Sequence, residues 1–104
     1  MAKKYDWILI IENGAKDNDL NSRELNATEL DAKVFFYEIV EKEQEGVKAN
    51  REFANYNFGK VVASYNDNGE VIEYSTYILI DESIVSYALK RQDYLGIRNE
   101  RLKN

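Results

Sequence analysis

The sequence predicts an α+β fold: a single domain with a mainly antiparallel sheet of three or four strands, one amphipathic C-terminal helix and a short helix from the N-terminal half packed on it. Three features carry that expectation. Tyr5-Asp6-Trp7-Ile8-Leu9-Ile10-Ile11-Glu12 is a dense run of β-branched and aromatic residues. Asn68-Gly69, the strongest short hairpin signal, stands between two apolar runs. Beyond Asp81-Glu82-Ser83, which offers capping and acidic side chains, Ile84, Val85, Ala88, Leu89 and Leu95 recur at helical spacing.

Taken in order, residues 5–12 form the first strand, stopped by the turn pair Asn13-Gly14. Ile8 and Ile10 fall on one face and Trp7, Leu9 and Ile11 on the other, so the strand belongs in the sheet interior. Residues 21–31 are polar and hold two capping patterns, Asn21-Ser22-Arg23-Glu24 and Asn26-Ala27-Thr28-Glu29, which predict a short helix. Residues 33–41 are read as a strand. Their apolar side chains point in every direction on a helical wheel, whereas six of the seven residues from 34 to 40 are β-branched or aromatic. If that stretch is helical instead, the fold becomes a three-stranded sheet with two helices. Gly46 then closes a charged turn.

The hairpin joins strands near 59–67 and 70–80. A type I′ turn at Asn68-Gly69 pairs Tyr65 with Ile72, Ala63 with Tyr74 and Val61 with Thr76. That register collects Val61, Ala63, Tyr65, Ile72, Tyr74, Thr76 and Ile78 on a core face, and leaves Val62, Ser64, Asn66, Val71, Glu73, Ser75 and Tyr77 toward solvent. A helix over 83–95 ends at Gly96, and 97–104 is a basic tail. No linker, internal repeat or low-complexity segment divides the 104 residues, so the whole chain 1–104 is one domain.

Composition narrows function more by what it lacks. The chain has no histidine, cysteine or proline. It is therefore without the side chain that titrates near neutrality, without a thiol nucleophile and without soft metal ligands. No cofactor motif is present, and none of the glycines forms a phosphate-binding loop. A carboxylate-dependent enzyme stays as an alternative, with Glu38, inside an apolar run, the carboxylate expected to be partly buried. Asp17-Asn18-Asp19-Leu20-Asn21 resembles half of a calcium loop, but Ser22 and Thr28 stand where that loop needs glycine and glutamate. Asp17, Asp19 and Asn21 are therefore not expected to bind calcium. The longest apolar run, residues 7–11, is far shorter than a spanning helix, so no membrane association is expected and the chain is read as cytosolic.

The formal charge of −5 is unevenly placed. Residues 12–45 hold ten acids against four bases, whereas residues 86–104 hold five bases against two acids. With eight tyrosines, this suggests a small acidic, non-enzymatic interaction protein, an inhibitor or adaptor whose partner is another protein. Glu41, Glu43, Glu45, Glu73 and Tyr77 are the expected contact residues. A nucleic-acid-associated role through Arg98, Arg101 and Lys103 is the alternative.

Overall fold

The computed structural model describes residues 2–14 and 19–95. Among these residues the chain forms one six-stranded antiparallel sheet and one long helix, in the order β1 (Lys4–Asn13), β2 (Asp19–Thr28), α1 (Glu29–Ala49), β3 (Tyr56–Phe58), β4 (Val62–Tyr65), β5 (Val71–Ile80) and β6 (Ser83–Arg91). A 3-10 turn, Gln92–Tyr94, follows. Across the sheet the order is β2-β1-β6-β5, and β3 and β4 share the outer edge of β5. The expectation of three or four strands with a C-terminal helix is thereby overturned.

β1 lies between β2 and β6, as its apolar composition requires. On the helix side it presents Tyr5, Trp7, Leu9 and Ile11. Trp7 is fully buried, and its indole N–H donates to the Ala27 carbonyl at 3.0 Å. Residues 21–31, expected to be helical, lie mostly in β2, an edge strand whose polar side chains suit an exposed position. The expected caps Asn21 and Asn26 lie in the strand; the helix starts two residues after Asn26, where Thr28 Oγ1 accepts from Asp31 N–H at 3.1 Å, with Glu29 and Asp31 in the first turn of α1.

Residues 33–41 are helical, not a strand. Ala32, Phe36, Val40 and Val47 form the buried stripe of α1, flanked by half-buried Phe35 and Ile39. A second apolar stripe, Leu30, Val34 and Tyr37 at i, i+4 and i+7, is exposed, which is why the helical wheel looked apolar all round. Gly46 sits inside the helix with nothing near its missing side chain, and Glu38 is exposed.

Residues 83–91 are a strand inserted between β1 and β5, not a helix. Val85, Tyr87, Leu89 and Arg91 face α1, while Ile84, Ser86, Ala88 and Lys90 face away. The helical spacing misled because inward Val85 and Leu89 and outward Ile84 and Ala88 also fit a period of two. Asp81-Glu82 is a two-residue hairpin loop, with Asp81 at φ +54° and its carboxylate accepting from the N–H groups of Ala54 and Asn55.

The β4–β5 hairpin turns where expected, and Ala63 does pair with Tyr74. Its loop differs. Gly69 N–H donates to the Asn66 carbonyl and Asn66 N–H to the Glu70 carbonyl, enclosing three residues, with Gly69 alone at positive φ (+78°). A bulge opposite Ser64 and Tyr65 then adds one residue to β5, so that Tyr65 pairs with Val71 and Ile72 is the extra residue. Val71 thereby joins the main core cluster, while Ile72 is buried outside it. The Asp17-Asn18 part of the calcium-like segment, Gly96 and the basic tail lie outside the described residues. Among the described residues no helix is long and apolar enough to cross a membrane.

Candidate functional site

The sheet extends further than the helix that covers it. α1 packs over β1, β2, β5 and β6, and its packing against β4 is slighter than against any of these. What remains is a cleft of about 630 Å³ between the N-terminal half of α1 and the β4–β5 hairpin. Leu30, Lys33 and Tyr37 form one wall, and Val61, Ala63 and Tyr65 the other. Tyr74 and Val71 form the floor, and Lys3 and Tyr5 close the end toward β1.

The floor is rigid. Tyr74 is 4% exposed and lies in an aromatic column, 6.3 Å from Trp7 and 6.2 Å from Phe36 between ring centres. Its hydroxyl makes no hydrogen bond among the described residues. Burial pushes that phenol up to about 12, so it stays protonated and able to donate. The walls, by contrast, are exposed: Leu30 by 68%, Tyr65 by 60% and Tyr37 by 45%.

Behind the Tyr5 end of the cleft stands a polar cluster. The Arg91 guanidinium, 5% exposed as a residue, lies 3.7 Å over the Tyr5 ring and 5.1 Å from the Tyr94 ring. It donates twice to the Asp93 carboxylate, at 3.1 and 2.6 Å, while its Nη1 stands 3.7 Å from Glu70 Oε1. Glu70 also accepts from Asn66 Nδ2 at 2.8 Å and from the Tyr5 hydroxyl at 2.9 Å. These two hydrogen bonds hold the Glu70 carboxyl below the usual carboxylate range. The same bond to Glu70 pushes the Tyr5 phenol up. Burial works against the Arg91 charge, but Asp93, Tyr5 and Glu70 together outweigh it and the guanidinium holds its proton more firmly than usual. The cluster fastens the hairpin tip to the end of β1.

The residues expected from sequence to contact a partner, on an acidic surface or a tyrosine-bearing face, lie on the two sides of the sheet. Glu41, Glu43 and Glu45 are exposed on the C-terminal half of α1. Glu43 turns back to the sheet and accepts from the Tyr87 hydroxyl at 3.3 Å, where burial drives that phenol upward. Glu73 and Tyr77 lie on the face away from α1. Tyr77 is exposed, but Glu73 is buried, paired in register with the equally buried Lys90. Among the described residues no group of three or more acidic side chains is placed to hold a metal ion.

Tyr37 was missed because residues 33–41 were read as a strand, and Leu30 because it was placed at the end of a short polar helix over 21–31 rather than in the first turn of α1. Tyr65 was expected in the core; it is on the core side, but no helix covers it. Comparison with protein-family models, with curated proteins and with solved structures finds no match to this chain.

Proposed function

We propose that the protein is a small non-enzymatic interaction module, an inhibitor or adaptor, that binds another protein in the cleft between α1 and β4. The observation that carries this reading is the second apolar stripe of α1. Leu30, Val34 and Tyr37 are exposed rather than part of the core, and Leu30 and Tyr37 line the same cleft as exposed Tyr65. Apolar and tyrosine side chains grouped at the rim of a concave surface are the usual anchors of protein recognition.

The titratable groups support a binding role over a catalytic one. General acids and bases are tuned toward neutrality. Here Tyr5, Tyr74 and Tyr87 are raised, Glu70 is lowered and Arg91 is raised, all away from it. A cysteine-free chain is compatible with a cytosolic setting.

The test is site-specific photocrosslinking in the source cell, with a photoreactive residue placed in turn at Tyr65, at Glu45 and at Tyr77. Capture of one and the same partner from position 65 alone supports the cleft. Capture from Glu45 alone assigns binding to the acidic end of α1, and capture from Tyr77 alone assigns it to the opposite face of the sheet.

A further inference from the structure

Resting on the cleft reading, we infer that the occupant is an extended acidic segment of the partner protein, added as a further strand along the outer edge of β4. Two independent observations lead there, one of backbone and one of charge.

Among the described residues β4 pairs only with β5, so its outer backbone groups face no strand. An open edge accepts an extended chain through main-chain hydrogen bonds, and alternate side chains supply the selectivity. The alternation already exists on β4 and the residue before it: Val61, Ala63 and Tyr65 all line the cleft. A strand added ~4.8 Å beyond β4 would drop every second side chain on the same side, toward Leu30 and Tyr37 of α1. The lone hydroxyl of Tyr74 offers a hydrogen-bond donor at the cleft floor.

The charge of the cleft is opposite to that of the chain. On a protein of formal charge −5, the side chains lining the cleft include Lys3, Lys33 and only one acid, Glu29. Glu29 is occupied, since its Oε2 accepts from the Val71 N–H at 3.2 Å. The two lysines lie over tyrosine rings, Lys3 at 5.3 Å from Tyr5 and Lys33 at 5.9 Å from Tyr37, and neither is within salt-bridge distance of a carboxylate among the described residues. Lys33, and Lys3 beyond its longer-range attraction to Glu70, put positive charge beside an apolar trough and select a segment that alternates apolar and acidic side chains.

The experiment is selection of linear ten-residue peptides from a random display library on the full chain, followed by synthesis of the winners. Peptides rich in Asp and Glu at alternate positions are expected. Their affinity should fall about tenfold in the double variant Lys3→Glu, Lys33→Glu, and be lost when alternate backbone nitrogens of the peptide are methylated. Amide hydrogen exchange at residues 62–65 should slow in the complex. Winners that bind without slowing those amides, or that are basic, overturn the inference. An empty selection combined with capture of a partner from position 65 refutes the extended segment but leaves the cleft reading standing; failure of both refutes both. Slow exchange at 62–65 in the chain alone, with dimers in sedimentation, would give the edge to a second copy and overturn the acidic segment.

Discussion

The ring of Tyr77 lies flat across Gly59, its partner on the neighbouring edge segment. Gly59 N–H donates to the Tyr77 carbonyl at 2.9 Å, and a Cβ built at Gly59 would sit 2.6 Å from Cδ1 and 2.8 Å from Cζ of that ring. The aromatic side chain fills the space that the glycine leaves open, a device known from other sheet edges. Gly59→Ala should therefore cost about 1–3 kcal/mol, as overpacking does. In a Tyr77→Ala background the same change should cost almost nothing. Urea melts of the four proteins in this cycle check the coupling; equal costs in both backgrounds would refute it.

Two other glycines should respond in opposite directions. Gly69 holds φ at +78°, so Gly69→Ala should destabilise by about 1 kcal/mol. Gly46 lies inside α1 with nothing within 4 Å of its missing Cβ, so Gly46→Ala should stabilise by about 0.5–1 kcal/mol. Thermal melts of the two variants should shift to opposite sides of the wild type.

The Glu70 cluster makes stability depend on pH. Asn66 and Tyr5 donate to the Glu70 carboxylate and lower its pKa, so its contribution is present above the unfolded value of ~4.3 and is lost as pH falls through the folded one. Wild type should be more stable than Glu70→Gln at neutral pH, and the gap should close in acid. Urea midpoints for both proteins at neutral pH and at roughly pH 3 provide the comparison. A gap unchanged by acid would mean that the carboxylate charge contributes nothing.

The two stripes of α1 should separate folding from binding. Phe36 is fully buried against Tyr74, and Phe36→Ala should cost about 3–5 kcal/mol. Leu30→Ser and Tyr65→Ser remove exposed side chains and should stay within about 0.5 kcal/mol of wild type, while abolishing capture of a partner at the cleft. Loss of stability in the exposed variants would return those side chains to the core.

What could be read from the sequence was governed by how many jobs each segment performs. β1 was legible because an interior strand buries both neighbours of every residue, and β5 because an asparagine-glycine turn and a one-sided core agree on Ala63 opposite Tyr74. α1 was misread because it serves two surfaces, with Phe36 and Val40 toward the sheet and Leu30, Val34 and Tyr37 away from it, so its amphipathic period cancels. β2 was misread for the opposite reason: an exposed edge strand needs little apolar content, and Thr28 belongs to the helix that follows it. β6 satisfied both periods. Its β-branched and aromatic content at Ile84, Val85 and Tyr87 was the signal that could have decided for a strand. The cleft was out of reach because Leu30 and Tyr37 on α1 and Tyr65 on β4 come from separate segments that face one another only across the folded sheet.

The position of β6 sets the order in which this molecule can be made. Among the described residues β1 and β2 with α1, and β3, β4 and β5, form two groups of strands with no ladder between them, and β6 alone pairs with both β1 and β5. A ribosome delivers the first group, then the second, and the sheet closes only when residues 83–91 thread between them. A nascent chain halted before Ser83 lacks the strand that joins the two groups. The step that joins them brings together segments about 80 residues apart in the chain, the kind of non-local pairing that slows folding and exposes strand edges while it waits.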